Sequence, residues 1–206
     1  MIKIKLNKEK YNVPNSFDEL SIGKFQLLNE VEKDTEKRMM IHYINILTGI
    51  DTEMIKRIEM VDIKKIMDNF NFFEINKEDH DIIEAVKIDK IYKFDRDLFN
   101  MRFDMFIDLE ELTKDKEQII KNLHLIMAIL YRPVIKKKLW SKKLVIEEYD
   151  SESVKDRGDY FKENLMMDKV IGALFFFIQL KLKYIKDLEG YLIQMNKEMT
   201  MEMNLN

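Results

Sequence analysis

His80 and Glu84 stand four positions apart with Glu78, Asp79 and Asp81 beside them, the sharpest metal-ligating pattern in the sequence. A metal site needs three or four donors converging at about 2 Å. An acidic, solvated helix start accounts for the same letters, so no metal is assigned. The remaining histidines, His42 and His124, lie in separate segments. His42, beside Tyr43, reads as partly exposed, and His124 as a satisfied helix histidine. Acid pairs occur at Asp104 with Asp108 and at Glu110 with Glu111. Glycosidase-type chemistry needs two carboxyls held across a cleft with separated pKa values. Among 38 acidic residues some spacing always looks suggestive. The sequence has no Gly-rich phosphate loop, HExxH or nucleophile elbow, the motifs that carry recognisable mechanisms. Catalytic, cofactor and metal residues are therefore assigned as none, and a non-enzymatic role is expected.

Patterns suited to contact are stronger. Arg132, Lys136, Lys137, Lys138, Lys142 and Lys143 fall within twelve residues without an acid, and Trp140 lies among them. Clustered cations neutralise phosphates, and an indole can stack on a base or anchor a partner. An acidic protein partner fits the same stretch, as does a solvated loop balanced by Glu147, Glu148, Asp150 and Glu152. Phe175, Phe176 and Phe177 follow one another on a late apolar segment. At about 100° per residue they point three ways around a helix. A contact with another subunit or with the aromatic middle of the chain is expected, beside burial in the core. Near the end, Met199, Met201, Met203 and Leu205 alternate with polar residues, the period of a half-buried strand. They are candidate partner contacts.

These side chains sit on 206 residues, enough for a proper core. The chain is 46% hydrophobic and 35% charged, which excludes wholesale disorder and puts a dense ionic surface around that core. With 35 basic and 38 acidic residues the net charge is −3, so no global field steers it onto nucleic acid or anionic membrane. Cysteine is absent, which removes disulfides and thiolate sites and fits a reducing cytoplasm. The charged alternation of the first seven residues does not read as a signal peptide. The longest uncharged apolar run, between Lys169 and Lys181, is far short of the roughly 20 residues a membrane span needs. A soluble chain without a membrane span is expected.

Periodicity then places the elements. Ile2, Ile4 and Leu6 alternate with lysines, predicting a strand that pairs with residues 10–13 before Pro14 ends the hairpin. Ser16 and Glu19 form a capping-box pattern for a helix over 17–33, burying Leu20, Phe25, Leu28 and Val31. A second helix over 36–47 stops at Gly49, a left-handed C-terminal residue. Asp51 or Thr52 caps a short helix through Ile58, and Asp62 caps another over 63–70. The aromatic stretch 71–112 reads as one or two antiparallel strands or an irregular linker, with strand-like runs at 86–88, 91–94 and 101–107. A single helix over 113–131 ends before Pro133. A basic loop follows, then a helix opened by Ser151 or Ser153, and a last one from Asp168 to near Gly190. The fold class is mainly α (α+β): a helical bundle with a short N-terminal β-hairpin and a small central β element. Its segments are 1–70, 71–112 and 113–206, packed as one compact unit.

The segments Val13-Pro14-Asn15-Ser16-Phe17-Asp18-Glu19-Leu20, Leu47-Thr48-Gly49-Ile50 and Leu130-Tyr131-Arg132-Pro133 stand with Arg157, ahead of a helix, and the Phe175 to Phe177 helix. As a set they resemble small tail-neighbourhood proteins of tailed bacteriophages, especially crAss-like gut phages. Phe17 stands where that resemblance implies tryptophan. The resemblance implies a structural virion protein, made in the bacterial host cytoplasm, that acts by protein–protein contact in tail or portal-region assembly. Self-association or binding to a tail or portal-region protein goes with it. The alternatives are a tail assembly chaperone absent from the mature particle and a packaged cargo or nucleic-acid-binding protein. It transfers no catalytic residue.

Overall fold

Alternation of lysine and aliphatic residues builds the first element, as expected. β1 (Ile2–Leu6) pairs antiparallel with β2 (Glu9–Val13), Ile2 opposite Val13 and Leu6 opposite Glu9. The structure, a computed structural model, describes residues 2–6, 9–32, 34–73, 81–98, 101–137 and 144–183. The capping box after the hairpin works only in part. Glu19 accepts from the Asn15 N–H at 3.1 Å, but Ser16 turns its hydroxyl to Asn15 and Asp18. The helix expected over 17–33 is instead a single 3-10 turn, Phe17–Glu19, followed by extended Leu20 and then α1 (Ile22–Glu30). Tertiary pairing decides this. The Leu20 carbonyl accepts from the Met167 N–H at 2.8 Å, and the Ile22 N–H donates to Leu165 at 3.1 Å. Ser21 then caps α1, accepting from Lys24 at 3.4 Å.

Helix punctuation is more literal in α2 (Glu36–Thr48), where Gly49 takes φ 73° and donates to Asn45 at 2.8 Å. Asp51 caps α3 (Thr52–Ile55) by accepting from Glu53 at 2.9 Å and Met54 at 3.3 Å. α4 (Met60–Asp68) begins earlier than expected, so Asp62 lies inside its first turn and pairs with Lys65 at 2.7 Å.

The sheet is antiparallel, in the order β3 (Ala85–Lys87), β4 (Ile91–Phe94), β5 (Tyr131–Lys137), β6 (Leu144–Ile146). Phe94 faces Tyr131 across β4 and β5, and Val134 faces Ile146 across β5 and β6. The strand expected over 101–107 is helix: α5 (Phe103–Leu112) buries Met105 and Leu109, an i, i+4 pair, and leaves Phe103 exposed. The alternation of Met101, Phe103, Met105 and Ile107 imitates a strand, but burial follows the helical period.

The helix expected over 113–131 divides into α6 (Lys116–Lys121) and α7 (Leu123–Leu130). Asn122 makes the break, donating from its amide to Leu112 at 3.0 Å and to Gln118 at 3.2 Å. Strand β5 starts directly after Leu130 and takes in Lys136 and Lys137 of the expected basic loop, whose residues 138–143 lie outside the described ones; Asp95 donates its N–H to the Leu130 carbonyl at 2.9 Å and draws the chain into the sheet. α8 (Ser151–Asn164) is capped by Asp150, one residue before the expected Ser151. A 3-10 turn, Met167–Lys169, leads into α9, helical over 171–183. Buried side chains from β2 through α9 form one hydrophobic cluster, with α7 at its centre. The fold is mainly α (α+β).

Candidate functional site

The basic stretch is divided by the fold. Arg132 lies on β5 opposite Lys93 and is 8% exposed. Its guanidinium pairs with the Asp95 carboxylate and donates to the Glu147 carbonyl at 2.8 Å. Arg132 therefore belongs to the interior, and its place in an anion-binding patch is corrected: an extended backbone after Leu130 turns it toward Asp95. Lys136 and Lys137 occupy β5 positions opposite Val145 and Leu144. Lys138, Trp140, Lys142 and Lys143 lie outside the described residues.

A second buried arginine completes the cluster. Arg157 sits within α8, ahead of the Phe-rich α9, and its Nε donates to the Ala128 carbonyl at 2.8 Å while Nη1 meets the Glu147 carboxylate at 3.3 Å. Burial weighs most on Arg157 and lowers its pKa; the Glu147 carboxylate works against that, and nearby Arg132 adds to it. Glu147 thus ties β6 to β5 through its backbone and to α8 through its side chain. Beside it, Tyr131 places its hydroxyl between the carbonyls of Ile83 at 2.8 Å and Lys169 at 3.2 Å, and burial raises its pKa. Tyr149 donates to Asp108, and Arg102 pairs with Asp104 at 2.6 Å. The acid pair on α5 is thereby divided between two different partners. This arrangement locks a sheet onto two helices, with Arg132 Nε and Arg157 Nη2 left buried without a hydrogen-bond partner.

The three phenylalanines behave differently from one another. Phe177 is 4% exposed and packs in the core, so its assignment to a partner surface is corrected. Phe176 is half-buried and meets Phe94 edge-on at 5.8 Å, the contact with the aromatic middle that the sequence suggested. Phe175 is also half-buried. Met199, Met201, Met203 and Leu205 lie outside the described residues.

Of the histidines, His124 lies in α7 with its Nδ1 2.9 Å from the Gln26 amide nitrogen, which also donates to the Ile120 and Lys121 carbonyls. His42 is exposed, and His80, Glu78 and Asp79 fall outside the described residues. Glu84 is not on a helix; it sits next to β3 and pairs with Arg96 at 3.1 Å. Among the described residues no three metal-ligating side chains come together. No described helix is long and apolar enough to cross a membrane.

Two apolar features escaped the sequence reading. On α5, Phe103 is 76% and Ile107 42% exposed, and Phe106 stacks on Phe103 at 6.5 Å. They share one stripe at i, i+3 and i+4, a helical spacing masked by the apparent strand alternation. A cleft of about 410 Å³ opens among α1, α2 and α4, lined by Phe25, Leu28, Tyr43, Met67, Phe70 and Phe73 among others. No family model, curated protein or solved structure matches this chain. The arrangement is therefore interpreted from its own chemistry.

Proposed function

We propose that the chain is a non-enzymatic structural protein of a tailed-phage particle, acting by protein–protein contact in tail or portal-region assembly. The observation that carries the reading is the apolar stripe of Phe103, Phe106 and Ile107, held out on a helix whose other face is fixed in the core. Exposed large apolar side chains grouped in this way are the mark of a contact surface. The sequence resemblance to phage tail-neighbourhood proteins supplies the setting. The buried arginine network supports it from the other side, since it spends ionised groups on holding a frame.

In this reading the protein is made in the bacterial host cytoplasm and stays in the virion. Mass spectrometry of purified particles tests that directly. Stoichiometric recovery supports a structural role, whereas recovery only from infected-cell lysate replaces it with an assembly chaperone. A size-resolved mass of the isolated chain, measured alongside, reports self-association.

A further inference from the structure

A second patch of exposed apolar side chains stands at the start of α4, where Met60 is 74% and Val61 56% exposed. The helix holds them outward because its other side buries Ile63 and Ile66. Cations dominate the surroundings. Residues 56–65 carry Lys56, Arg57, Lys64 and Lys65 against Glu59 and Asp62. Lys56 is taken up by Glu53 at 2.5 Å and Lys65 by Asp62 at 2.7 Å. Arg57 and Lys64 are exposed, and neither enters an ion pair among the described residues.

The stripe on α5 has the opposite surroundings. Every charged residue of that helix is acidic: Asp104, Asp108, Glu110 and Glu111. Arg102 holds Asp104, Tyr149 donates to Asp108, and Lys181 approaches Glu110 at 3.6 Å. Glu111 is exposed and enters no ion pair among the described residues. It lies four residues past Ile107, hence on the face of the stripe. It also stands in the last turn, which has no basic residue of its own and where the helix carries partial negative charge. A cation brought from outside is stabilised there.

The two patches match in spacing as well as in sign. Met60 to Lys64 and Ile107 to Glu111 are each four residues apart, about 6 Å along a helix axis. Two such helices laid side by side in the same direction bring Met60 and Val61 onto Phe103, Phe106 and Ile107, with Lys64 beside Glu111. We infer that the α5 stripe of one copy of this chain binds the start of α4 on a second copy, apolar side chain against apolar side chain and cation against acid. This rests on the contact role proposed above for α5 and names its partner. Because two different patches meet, the contact is head-to-tail, and its repetition gives a ring or an open row of copies. Five apolar side chains make a small interface, so the isolated chain associates weakly, with Kd of about 10–100 μM.

Sedimentation velocity of the full chain over a range of concentrations, at low and high salt, tests this. Mass should rise with concentration, and less steeply at high salt, since exposed charges are screened. Lys64→Glu and Glu111→Lys should each weaken association at least about tenfold, with thermal unfolding unchanged. An equimolar mixture of those two variants should associate again, because each then meets the opposite charge at both contacts. Met60→Ser with Val61→Ser should weaken association in the same way. If either charge-reversed variant unfolds, Lys64→Gln with Glu111→Gln replaces it and should show the same loss. A single-chain mass at every concentration overturns the inference and assigns the stripe to a different protein. So does association that ignores the charge-reversed variants, or that fails to return on mixing them. A monomer still found in purified particles removes the second copy as partner and leaves the structural role standing; a self-associating chain absent from particles does the reverse.

Discussion

The hairpin and α1 to α4 differ from the sheet and α7 to α9 in how their polar groups are used. In the later half, charged side chains are buried and cross long stretches of sequence: Arg132 reaches Asp95 and Arg157 reaches Ala128 and Glu147. In the earlier half, charged side chains stay out of the core and several polar ones close their own helix ends, as Asp51 does for α3 and Ser21 for α1; neutral Gln26 is the buried long-range exception, reaching Ile120 and Lys121, and an apolar cleft stays open among these helices. Both halves contribute to one core. The lesson is a division of labour: long-range charge pairs give the later half a single arrangement, whereas local caps set the earlier helices and leave apolar surface accessible.

Arg132→Ala tests the rigid side of that contrast most severely. It strands Asp95 next to the core, and breaking a buried pair costs about 3–5 kcal/mol. The double change Arg132→Met with Asp95→Leu should return most of that stability, since well-packed apolar pairs often replace buried ion pairs at little cost. Urea unfolding measures both. A cost under about 1 kcal/mol for the single variant would mean that the pair does not lock the sheet. Gly23→Ala comes next. A Cβ there would lie 2.8 Å from the Lys162 carbonyl oxygen, where α1 crosses α8. Backbone cannot move aside as a side chain tip can, so about 1–3 kcal/mol should be lost. A neutral result would show that the two halves are loosely joined.

Asp51→Ala probes the local side, with about 1 kcal/mol expected from losing the cap and a melting temperature lower by about 2–4 °C. If the loss matches that of Arg132→Ala, the contrast between the halves disappears. A smaller effect is expected from pH. Burial, first, and then the Lys162 ammonium push the His124 pKa down, while Asp159 opposes them. The unfolded chain therefore takes up a proton before the folded one as pH falls. Stability drops from the ordinary histidine value downward until the folded group titrates as well. His124→Gln should flatten stability between about pH 7 and pH 5. An unchanged slope would assign that acid sensitivity to other groups.

How much of this the sequence revealed depends on whether a signal was local. Gly49, Asp51 and the β1 and β2 hairpin were legible because turn chemistry and alternation act within a few residues. The start of α1 was not, because extended Leu20 is fixed by Met167, far along the chain. Arg132 misled for a related reason: a run of cations looks like surface until Asp95 and Glu147 are brought beside it. For α5, one list of apolar residues satisfied two periods at once, and only packing chose between them. The Phe175 to Phe177 run suggested either another subunit or the aromatic middle; Phe176 meets the latter at Phe94, while Phe177 is buried in the core, as three successive helix positions face different ways. Gln26 gave no sequence signal, since nothing in a lone glutamine foretells a buried oxygen without a partner.

The combined variant Phe103→Ser with Ile107→Ser should have the least effect on the isolated chain and bears most directly on function. Phe103 is 76% exposed and Ile107 42% exposed, so replacing them removes little buried apolar area. Surface changes of this kind usually stay within about 0.5 kcal/mol. The opposite face of α5, held by Met105 and Leu109, is untouched. Thermal unfolding should therefore superimpose on that of the natural chain, while incorporation into particles, quantified by mass spectrometry, falls sharply. A drop of many degrees in melting temperature would make the stripe part of the folded core. Unchanged incorporation with an unchanged melting temperature would leave the stripe without a role and withdraw the main support for a structural protein. Only the split result, stability kept and assembly lost, fits a frame locked on one side that presents apolar contact surface on the other.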